Sequence, residues 1–559
     1  VRSSSRIELT DAVCWFFAGA VLLVAGARLL YGVDLTDEAT YVAIPYRFCL
    51  GDTPFVDEHS PIQTSALITL PFVKLFYFVR GSSEGLVLFM RALYLLFCCG
   101  VASVVAFGLK PLVGARAAVL VSLVCVVFCP LGISNLSYNT LSSGFFTAGI
   151  FLALQHHLWG RSSRWLFAAG VAHGLAALAL PSYAVPVVCY AAVLCWLLAT
   201  GTRARGVLAY AAGGVIACAP FVPWLLRFDG ETLSNAYGHV QTSEGWTSRV
   251  RQFALQAAGF VPIKIELALA LASLWFAVKY RLAVVSVALL AILPLFPLLV
   301  GRPTGSAWYV AMLAGCGTVF WLLAWRSSLS TRFLWSVWLP SLCAGATTSL
   351  ASANGLVNSG LGLLPIALVG ASLAVVLARE AAEGSSSGWL RKLDVAFPAL
   401  VAVVLLAYQR YPFGDDPVSE LGTRVHSGPY AGMYTTPEKE TYLQAISDDL
   451  SAVGRDHERI LFVDHFPAGY LITRMRPAAG CIWTIQCTAG GSVDDCVHEM
   501  RQDIARCRGL DLAVFRMHAF PLSRTNVCTF ERNDLDVALE EHFRRALERG
   551  SYTVLLSRW

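Results

Sequence analysis

Charge is scarce in this 559-residue chain: 14% of it is Asp, Glu, Lys or Arg, and 56% is apolar. With a mean hydropathy of +0.60, an ordinary soluble globular protein is excluded. Lysine is scarcer still, six residues against 36 arginines, a bias that points to a GC-rich genome and carries no mechanism. No low-complexity tract and no 20–50-residue repeat is present, so neither a disordered linker protein nor a solenoid is expected. No Gly-rich phosphate loop or dinucleotide fingerprint lies between a strand and a helix, which argues against nucleotide chemistry. A C-x₂-C pair with a nearby histidine array is also missing, which disfavours structural zinc.

What is there is an uneven distribution. Residues 1–410 contain sixteen acids and 26 bases, and residues 411–559 contain 21 acids and 16 bases. Apolar runs of about 20 residues, enough to cross ~30 Å of hydrocarbon, recur up to about residue 409 and then stop. A polytopic membrane domain (1–410) followed by a soluble domain (411–559) is expected. Six of the sixteen membrane-domain acids, Asp34, Asp37, Glu38, Asp52, Asp57 and Glu58, crowd into one loop directly after the first apolar run. Carboxylates beside a bilayer are costly unless solvated or functional, so chemistry is sought there first.

Thirteen spans are expected, at 12–31, 85–108, 114–134, 138–159, 164–181, 183–200, 206–227, 262–279, 281–300, 306–325, 332–352, 356–378 and 393–409. The first could imitate a signal peptide with a weak Ala18-Gly19-Ala20 cleavage site, but its length fits a retained anchor. Segment 61–80 is apolar but carries Gln63, Pro71, Lys74 and Arg80. Read as a juxtamembrane helix, it leaves every alternate loop basic: Arg2 and Arg6, Lys110 and Arg116, Arg161 and Arg164, Arg203 and Arg205, Lys279 and Arg281, Arg326 and Arg332, Arg391 and Lys392. Such loops face the cytoplasm. The outer loop 32–84, the long loop 228–261 and the C-terminal domain then all face outward. The 228–261 loop, with Gly230, Gly238 and Gly245, is long enough for a lid.

The C-terminal domain reads as α/β. A capping box, Thr435-Thr436-Pro437-Glu438, opens a helix to about Val453. Strands are expected at 459–464, 511–516 and 552–557, with helices at 467–475, 494–507 and 535–549; the alternation favours a small, largely parallel sheet. Of sixteen cysteines, five fall here, Cys481, Cys487, Cys496, Cys507 and Cys528. An outward-facing domain permits disulfides, and their pairing is not readable from sequence.

The loop core reads Thr36-Asp37-Glu38-Ala39-Thr40-Tyr41, an Asp-Glu pair followed by Tyr, immediately after the first span. With the juxtamembrane helix, about a dozen further spans and an outer α/β domain, the layout resembles the GT-C superfamily of polyprenyl-phosphate-sugar-dependent glycosyltransferases, in particular the protein O-mannosyltransferase and lipid A aminoarabinose transferase branch. The resemblance covers nearly the whole chain, although the motif is short and owes its specificity to position. It implies an inverting transfer of a sugar from a lipid-phosphate carrier to an acceptor (protein, lipid or polysaccharide) at the outer face of a bacterial plasma membrane. Asp37 is then the general base and Glu38 its neighbour in the motif, both placed in the catalytic group. Such a reaction needs a carboxylate to take the acceptor proton, cations to hold the departing phosphate and an apolar groove for the tail.

The substrate-binding candidates are Asp57, Glu58 and His59, Tyr138 and Asn139, the outer cations Lys74, Arg80, Arg249, Arg251 and Arg302, and the aromatic Tyr309. Each has an ordinary alternative. The 57–59 knot could simply cap the 61–80 helix, the arginines could snorkel to headgroups, and Trp246, Trp308 and Tyr309 could belong to the interfacial belt. Many relatives carry an acid where Asn139 stands, which weakens a two-acid metal site and favours a metal-independent mechanism with no cofactor. Pro181-Ser182-Tyr183 occupies the place of the lysine of the aminoarabinose branch, which puts that sugar in doubt. No nucleic-acid partner is expected. The rival reading is a polytopic transporter or lipid flippase; against it, no inverted repeat is visible and Arg28 and Arg91 are the main charges inside spans.

Overall fold

The structure, a computed structural model, describes residues 2–58, 60, 62–198, 200–226, 251, 254–256, 306–323, 328–352, 354–383, 393–454, 457–463, 466–478, 482, 512–521, 527–529, 539–540 and 543–558. Up to Tyr408 the regular elements are helices, as apolar segments that must satisfy their own backbone polar groups require. They are α1 (Arg2–Arg28), α2 (Asp37–Cys49), α3 (Gln63–Arg80), α4 (Leu86–Val127), α5 (Tyr138–His157), α6 (Arg164–Ala179), α7 (Ala184–Leu197), α8 (Thr200–Cys218) and α9 (Val222–Leu225). After the 227–305 region come α10 (Ser306–Leu323), α11 (Ser328–Phe333), α12 (Leu339–Leu350), α13 (Ser359–Glu383) and α14 (Leu393–Tyr408).

The expected spans at 85–108 and 114–134 form one 42-residue run, α4, broken at Gly114 (φ 76°, ψ 168°), a conformation open to glycine alone at little cost. Three stretches among the described residues are long and apolar enough to cross a bilayer, Leu86–Val127, Arg203–Trp224 and Gly355–Glu380, and shorter apolar helices accompany them. The spans expected at 262–279 and 281–300 lie outside the described residues, so the total of thirteen is not fixed. Small residues let the helices touch. A methyl on Gly170 would stand 1.9 Å from the Tyr210 carbonyl oxygen, and one on Gly213 would stand 2.1 Å from that of Phe167, so α6 and α8 meet backbone to backbone. The Gly170-x-x-x-Gly174 spacing is thus used inside the bundle.

Beyond residue 411 the chain is mixed α/β. A short antiparallel pair, β1 (Thr423–Arg424) with β2 (Tyr434–Thr435), precedes α15 (Pro437–Val453). Then follow β3 (Arg459–Val463), α16 (Gly469–Ile472), β4 (Arg476–Pro477), β5 (Leu512–Met517), β6 (Ala519–Pro521), β7 (Val527–Thr529), β8 (Phe543–Glu548) and β9 (Tyr552–Ser557). The main sheet has the order β4-β3-β5-β9-β8, with β4, β3 and β5 parallel and β9 and β8 antiparallel. The sheet is therefore mixed, not largely parallel.

Two local expectations are corrected. The segment Phe543–Glu548, expected to be helical from its Arg, Ala, Leu and Glu content, is a strand paired to β9 across a tight turn; the ladder partner overrides propensity at this sheet edge. The N-cap of α15 is Thr436, whose hydroxyl accepts from the Lys439 amide, one residue later than the box read from Thr435. The helix expected at 494–507 and Cys481, Cys487, Cys496 and Cys507 lie outside the described residues, as does the side chain of Cys528.

One apolar cluster fills the helical bundle, with Phe146, Phe151, Tyr183, Tyr309, Ile366 and Leu405 among its members. A second joins the loop after α1 and the helix α2 (Val33, Leu35, Val42, Tyr46), one end of the bundle (Leu67, Met90, Ile133) and the C-terminal unit (Tyr430, Leu443, Phe462, Phe515). Every residue of α2 from Glu38 to Phe48 is buried. The acidic loop is therefore a packed layer between the two halves of the molecule.

Candidate active site

The turn that launches α2 is built by Asp34. Its Oδ1 accepts from the Thr36 amide (2.9 Å) and the Thr36 hydroxyl (2.7 Å), and its Oδ2 accepts from the Glu38 amide (2.6 Å). This Asx-type turn satisfies amides that a helix start leaves open and sets a negative charge at the positive helix end. Burial pushes the Asp34 carboxyl up to about 6, its amide and hydroxyl donors pull the other way, and Glu38 adds to the rise. Asp37 is the first residue of α2 and half-buried. Burial, and secondarily the charge of Asp34, lift its carboxyl to about 7. Its electrostatic neighbours include Tyr41 and Tyr138, whose rings meet edge to face at 5.6 Å.

Glu38 sits next to Asp37 in sequence and in a different environment. Arg91, near the start of α4, binds it through two parallel bonds, Nε to Oε1 (2.7 Å) and Nη2 to Oε2 (2.5 Å), and Asn135 Nδ2 adds a third to Oε1 (3.1 Å). The rest of the guanidinium donates to the carbonyls of Leu29, Tyr31 and Gly32 at 2.8–3.0 Å. All three side chains are buried. A buried charge pair of this kind holds only when every donor and acceptor is used, and here Arg91 ties the end of α1 and the start of α2 to α4.

A second knot lies thirteen residues beyond Asp34. Arg47 donates from Nε to Asp52 (2.6 Å), from Nη1 to Glu58 (2.5 Å) and from Nη2 to the Asp57 carbonyl (2.9 Å). Glu58 also accepts from the Ser60 amide (3.0 Å), and Gln63 bonds the Glu58 carbonyl and the Phe55 amide. Phe55 is buried with φ at 67°, a left-handed strain that this net holds in place. Asp57 is exposed and accepts from the Thr53 amide (2.7 Å).

The remaining expected site residues are scattered. Asn139 is buried in the first turn of α5, behind a capping box of Ser137 and Thr140. Lys74 and Arg80 are exposed on α3, and Arg251 is exposed as well. Tyr309 is buried in the bundle core, 5.7 Å from the Tyr408 ring. His59, Arg249 and Arg302 lie outside the described residues. The structure therefore brings together Asp37, Tyr138 and, through Asn135, the Glu38 pair, and leaves the cations apart. A small hollow between α4, α5 and α13, with room for about one water-sized molecule, is lined by Tyr94, Phe97, Cys98, Cys125, Thr140 and Ser143 among others. Among the described residues no group of three His, Cys, Asp or Glu side chains is placed to hold a metal ion. Arg47 and Asn135 escaped the sequence reading; Asp34 was visible as a member of the acidic cluster and Arg91 as a rare charge within a span.

No known family model matches the sequence, and no curated protein matches it. Solved structures do. ArnT from Cupriavidus metallidurans bound to undecaprenyl phosphate superposes with a TM-score of 0.51 at 13% identity, covering 97% of both chains. The same protein in the apo state gives 0.47 at 15% identity over 98% of both chains. The Archaeoglobus fulgidus oligosaccharyltransferase AglB, in complex with an inhibitory peptide and a dolichol-phosphate, gives 0.47 at 11% identity, covering 97% of this chain and 74% of its own. The superposition with carrier-bound ArnT shows that this chain shares the fold of that protein.

Proposed function

We propose that this chain transfers a sugar from a polyprenyl-phosphate carrier to an acceptor nucleophile on the extracytoplasmic side of the membrane, with Asp37 as general base. The supporting observation is the environment of the six clustered carboxylates. Asp34 holds three donors, Glu38 is bound by Arg91 and Asn135, Asp52 and Glu58 by Arg47, and Asp57 by the Thr53 amide. Of these six, only the Asp37 carboxyl has no hydrogen bond or ion pair among the described residues, and it keeps contact with the exterior. A carboxylate raised toward neutrality and left without donors is suited to proton abstraction.

In the proposed step, the acceptor's proton passes to Asp37 as the acceptor atom attacks the anomeric carbon from the face opposite the phosphate. The bond from that carbon to the phosphate oxygen breaks, and polyprenyl phosphate leaves with the electron pair. Cations stabilise the leaving charge; Lys74, Arg80 and Arg251 are the described candidates, and Arg249 and Arg302 complete the set. Glu38 serves as a positioning residue, Asp57 and Glu58 as loop structure. With Asn139 where relatives carry an acid, the proposal routes no step through a metal.

Contact supports a common side for the acidic loop and the C-terminal unit. The acidic loop touches the C-terminal unit, so the chain between them crosses the membrane an even number of times. Twelve spans, with 61–80 kept at the surface, meet that condition, and the basic loops then face the cytoplasm. The test is turnover of carrier-linked sugar by Asp37→Asn in reconstituted vesicles, expected to be abolished while undecaprenyl phosphate still binds. Normal turnover in the variant would remove Asp37 from the mechanism. Movement of carrier across the bilayer without a covalent product, in the wild type, would favour the flippase instead.

A further inference from the structure

Three side chains of the C-terminal unit converge on two residues of the turn before α2. Asp415 Oδ2 accepts from the Val33 amide (2.7 Å) and the Thr435 hydroxyl (2.7 Å). Lys439, the sole lysine after residue 410, donates from Nζ to the Val33 carbonyl (2.9 Å) and the Gly414 carbonyl (2.6 Å), and stands 3.1 Å from Asp415 Oδ1. The Tyr430 hydroxyl donates to the Asp34 carbonyl (2.8 Å). Tyr430 and Lys439 are buried, and the Asp415 side chain has no exposed surface. Burial lowers the Lys439 ammonium and Asp415 raises it again.

Both backbone groups of Val33 and the carbonyl of Asp34 are thus held by side chains from a region some 400 residues away. The Asp34 carboxylate in turn fixes the amides on either side of Asp37. Backbone approach is equally tight. Gly414 (φ +66°) lies so close that a methyl there would be 2.7 Å from Asp34 Oδ1, and one on Gly32 (φ +86°) would be 2.4 Å from Pro412. The Gly32 amide also donates to the Tyr434 carbonyl (2.9 Å), and the rings of Tyr31 and Tyr434 stack at 5.3 Å. Mere attachment of a soluble unit to a bundle needs apolar contact, which the shared cluster already supplies. It does not need three buried polar side chains directed at one two-residue stretch, where each costs desolvation unless fully paired.

We propose that Tyr430, Asp415 and Lys439 are positioning residues for the transfer reaction, holding residues 33 and 34 so that Asp37 is presented to the acceptor. This rests on Asp37 being the base. Misplacement of a reacting group by an ångström costs rate far more than it costs stability.

The test uses the full-length protein in nanodiscs with Tyr430→Phe, which removes one hydroxyl, and Asp415→Asn, which keeps shape and weakens the grip on Lys439. Turnover is followed with undecaprenyl-phosphate-linked mannose, or with whichever head group of a sugar panel the wild type consumes, and carrier affinity with undecaprenyl phosphate. The expected result for Tyr430→Phe is a kcat about tenfold lower with KM within about twofold. Amide exchange over residues 33–41 should be faster while the rest of the chain is unchanged. Wild-type kcat and wild-type exchange in both variants would overturn the positioning role, and so would a parallel loss in KM, carrier binding and thermal midpoint, which marks general unfolding. Asp37→Asn is run alongside. If it turns over normally, the general-base reading fails on its own account. If it is inactive while Tyr430→Phe and Asp415→Asn behave as wild type, only the positioning role fails.

Discussion

Asp37→Asn keeps the shape of the side chain and deletes its charge, so it separates the proposed catalytic role of Asp37 from what the residue costs the fold. In the folded protein the carboxyl is raised from 3.8 to about 7, first by burial and second by the charge of Asp34. A group whose folded value lies above its unfolded one contributes stability that is fully present below about pH 4 and lost as pH rises through about 7. At roughly 1.4 kcal/mol per pKa unit, that span corresponds to about 4 kcal/mol at pH 8. The side chain keeps some solvent contact, and screening brings the figure to about 2 kcal/mol. Asp34, pushed up to about 6 mainly by burial, adds a slope of the same sign in wild type and variant alike. The asparagine protein should therefore be about 2 kcal/mol more stable than wild type at pH 8, a gain of a few degrees in thermal midpoint, and equal to it near pH 4. Its turnover should fall by about 10²–10⁴-fold. Wild-type turnover should rise with pH through about 7 as the carboxylate forms. Thermal unfolding in detergent at pH 4.5 and 8, with turnover on the same samples, decides the matter. A variant destabilised at both pH values, or a stability gap that does not change with pH, would refute the account of Asp37 as a buried carboxylate without donors.

Three further outcomes follow from the contacts. Arg47→Met leaves Asp52 and Glu58 facing each other in a buried loop, and should cost about 3–5 kcal/mol with new protease cleavage near residues 50–60; an unchanged thermal midpoint would count against the knot. Glu38→Gln strands the Arg91 guanidinium and should lower the midpoint by a similar amount, with partial recovery in the double variant Glu38→Gln/Arg91→Met; no recovery would show that the two are not coupled. Gly414→Ala meets both a left-handed backbone and the Asp34 carboxylate. It should lose about 2 kcal/mol or more and a larger share of kcat than of carrier affinity; wild-type kinetics would mean that the two segments do not need their close approach.

Much of the architecture was legible in the sequence because bilayer physics leaves few options. Apolar runs of span length become helices, and the helices between 138 and 408 that the structure describes begin and end near the expected limits. The strand at 552–557 was readable from alternation and β-branched content and is found at Tyr552–Ser557. What failed was decided by distant partners. The residues of β8 favour a helix in isolation and become a strand because β9 is beside them. α2 gave no periodic signal because it is buried all round, between two units that only the folded chain brings together. At the site, scarcity of charge singled out the acidic loop and Arg91. It did not reveal that five of the six carboxylates have hydrogen-bond or ion-pair partners, because partner identity depends on contacts such as Arg91 to Glu38, 53 residues apart. Tyr430, Asp415 and Lys439 carried no local signal at all, apart from the isolation of that one lysine.

The grip of Lys439 on Val33 spans 406 positions of sequence, and this sets an order of events during biosynthesis. When the first span enters the membrane, the turn behind it has none of the donors and acceptors that later hold it, and ribosome and translocon must still deliver the whole bundle. Under the proposed function, the centre can be assembled only after the C-terminal unit has been made and folded. On that same proposal, a newly made chain is inert until the segment through Lys439 is in place, and quality control of the C-terminal unit doubles as quality control of the site. Chains cut short anywhere before residue 439 should insert, accumulate and remain without activity.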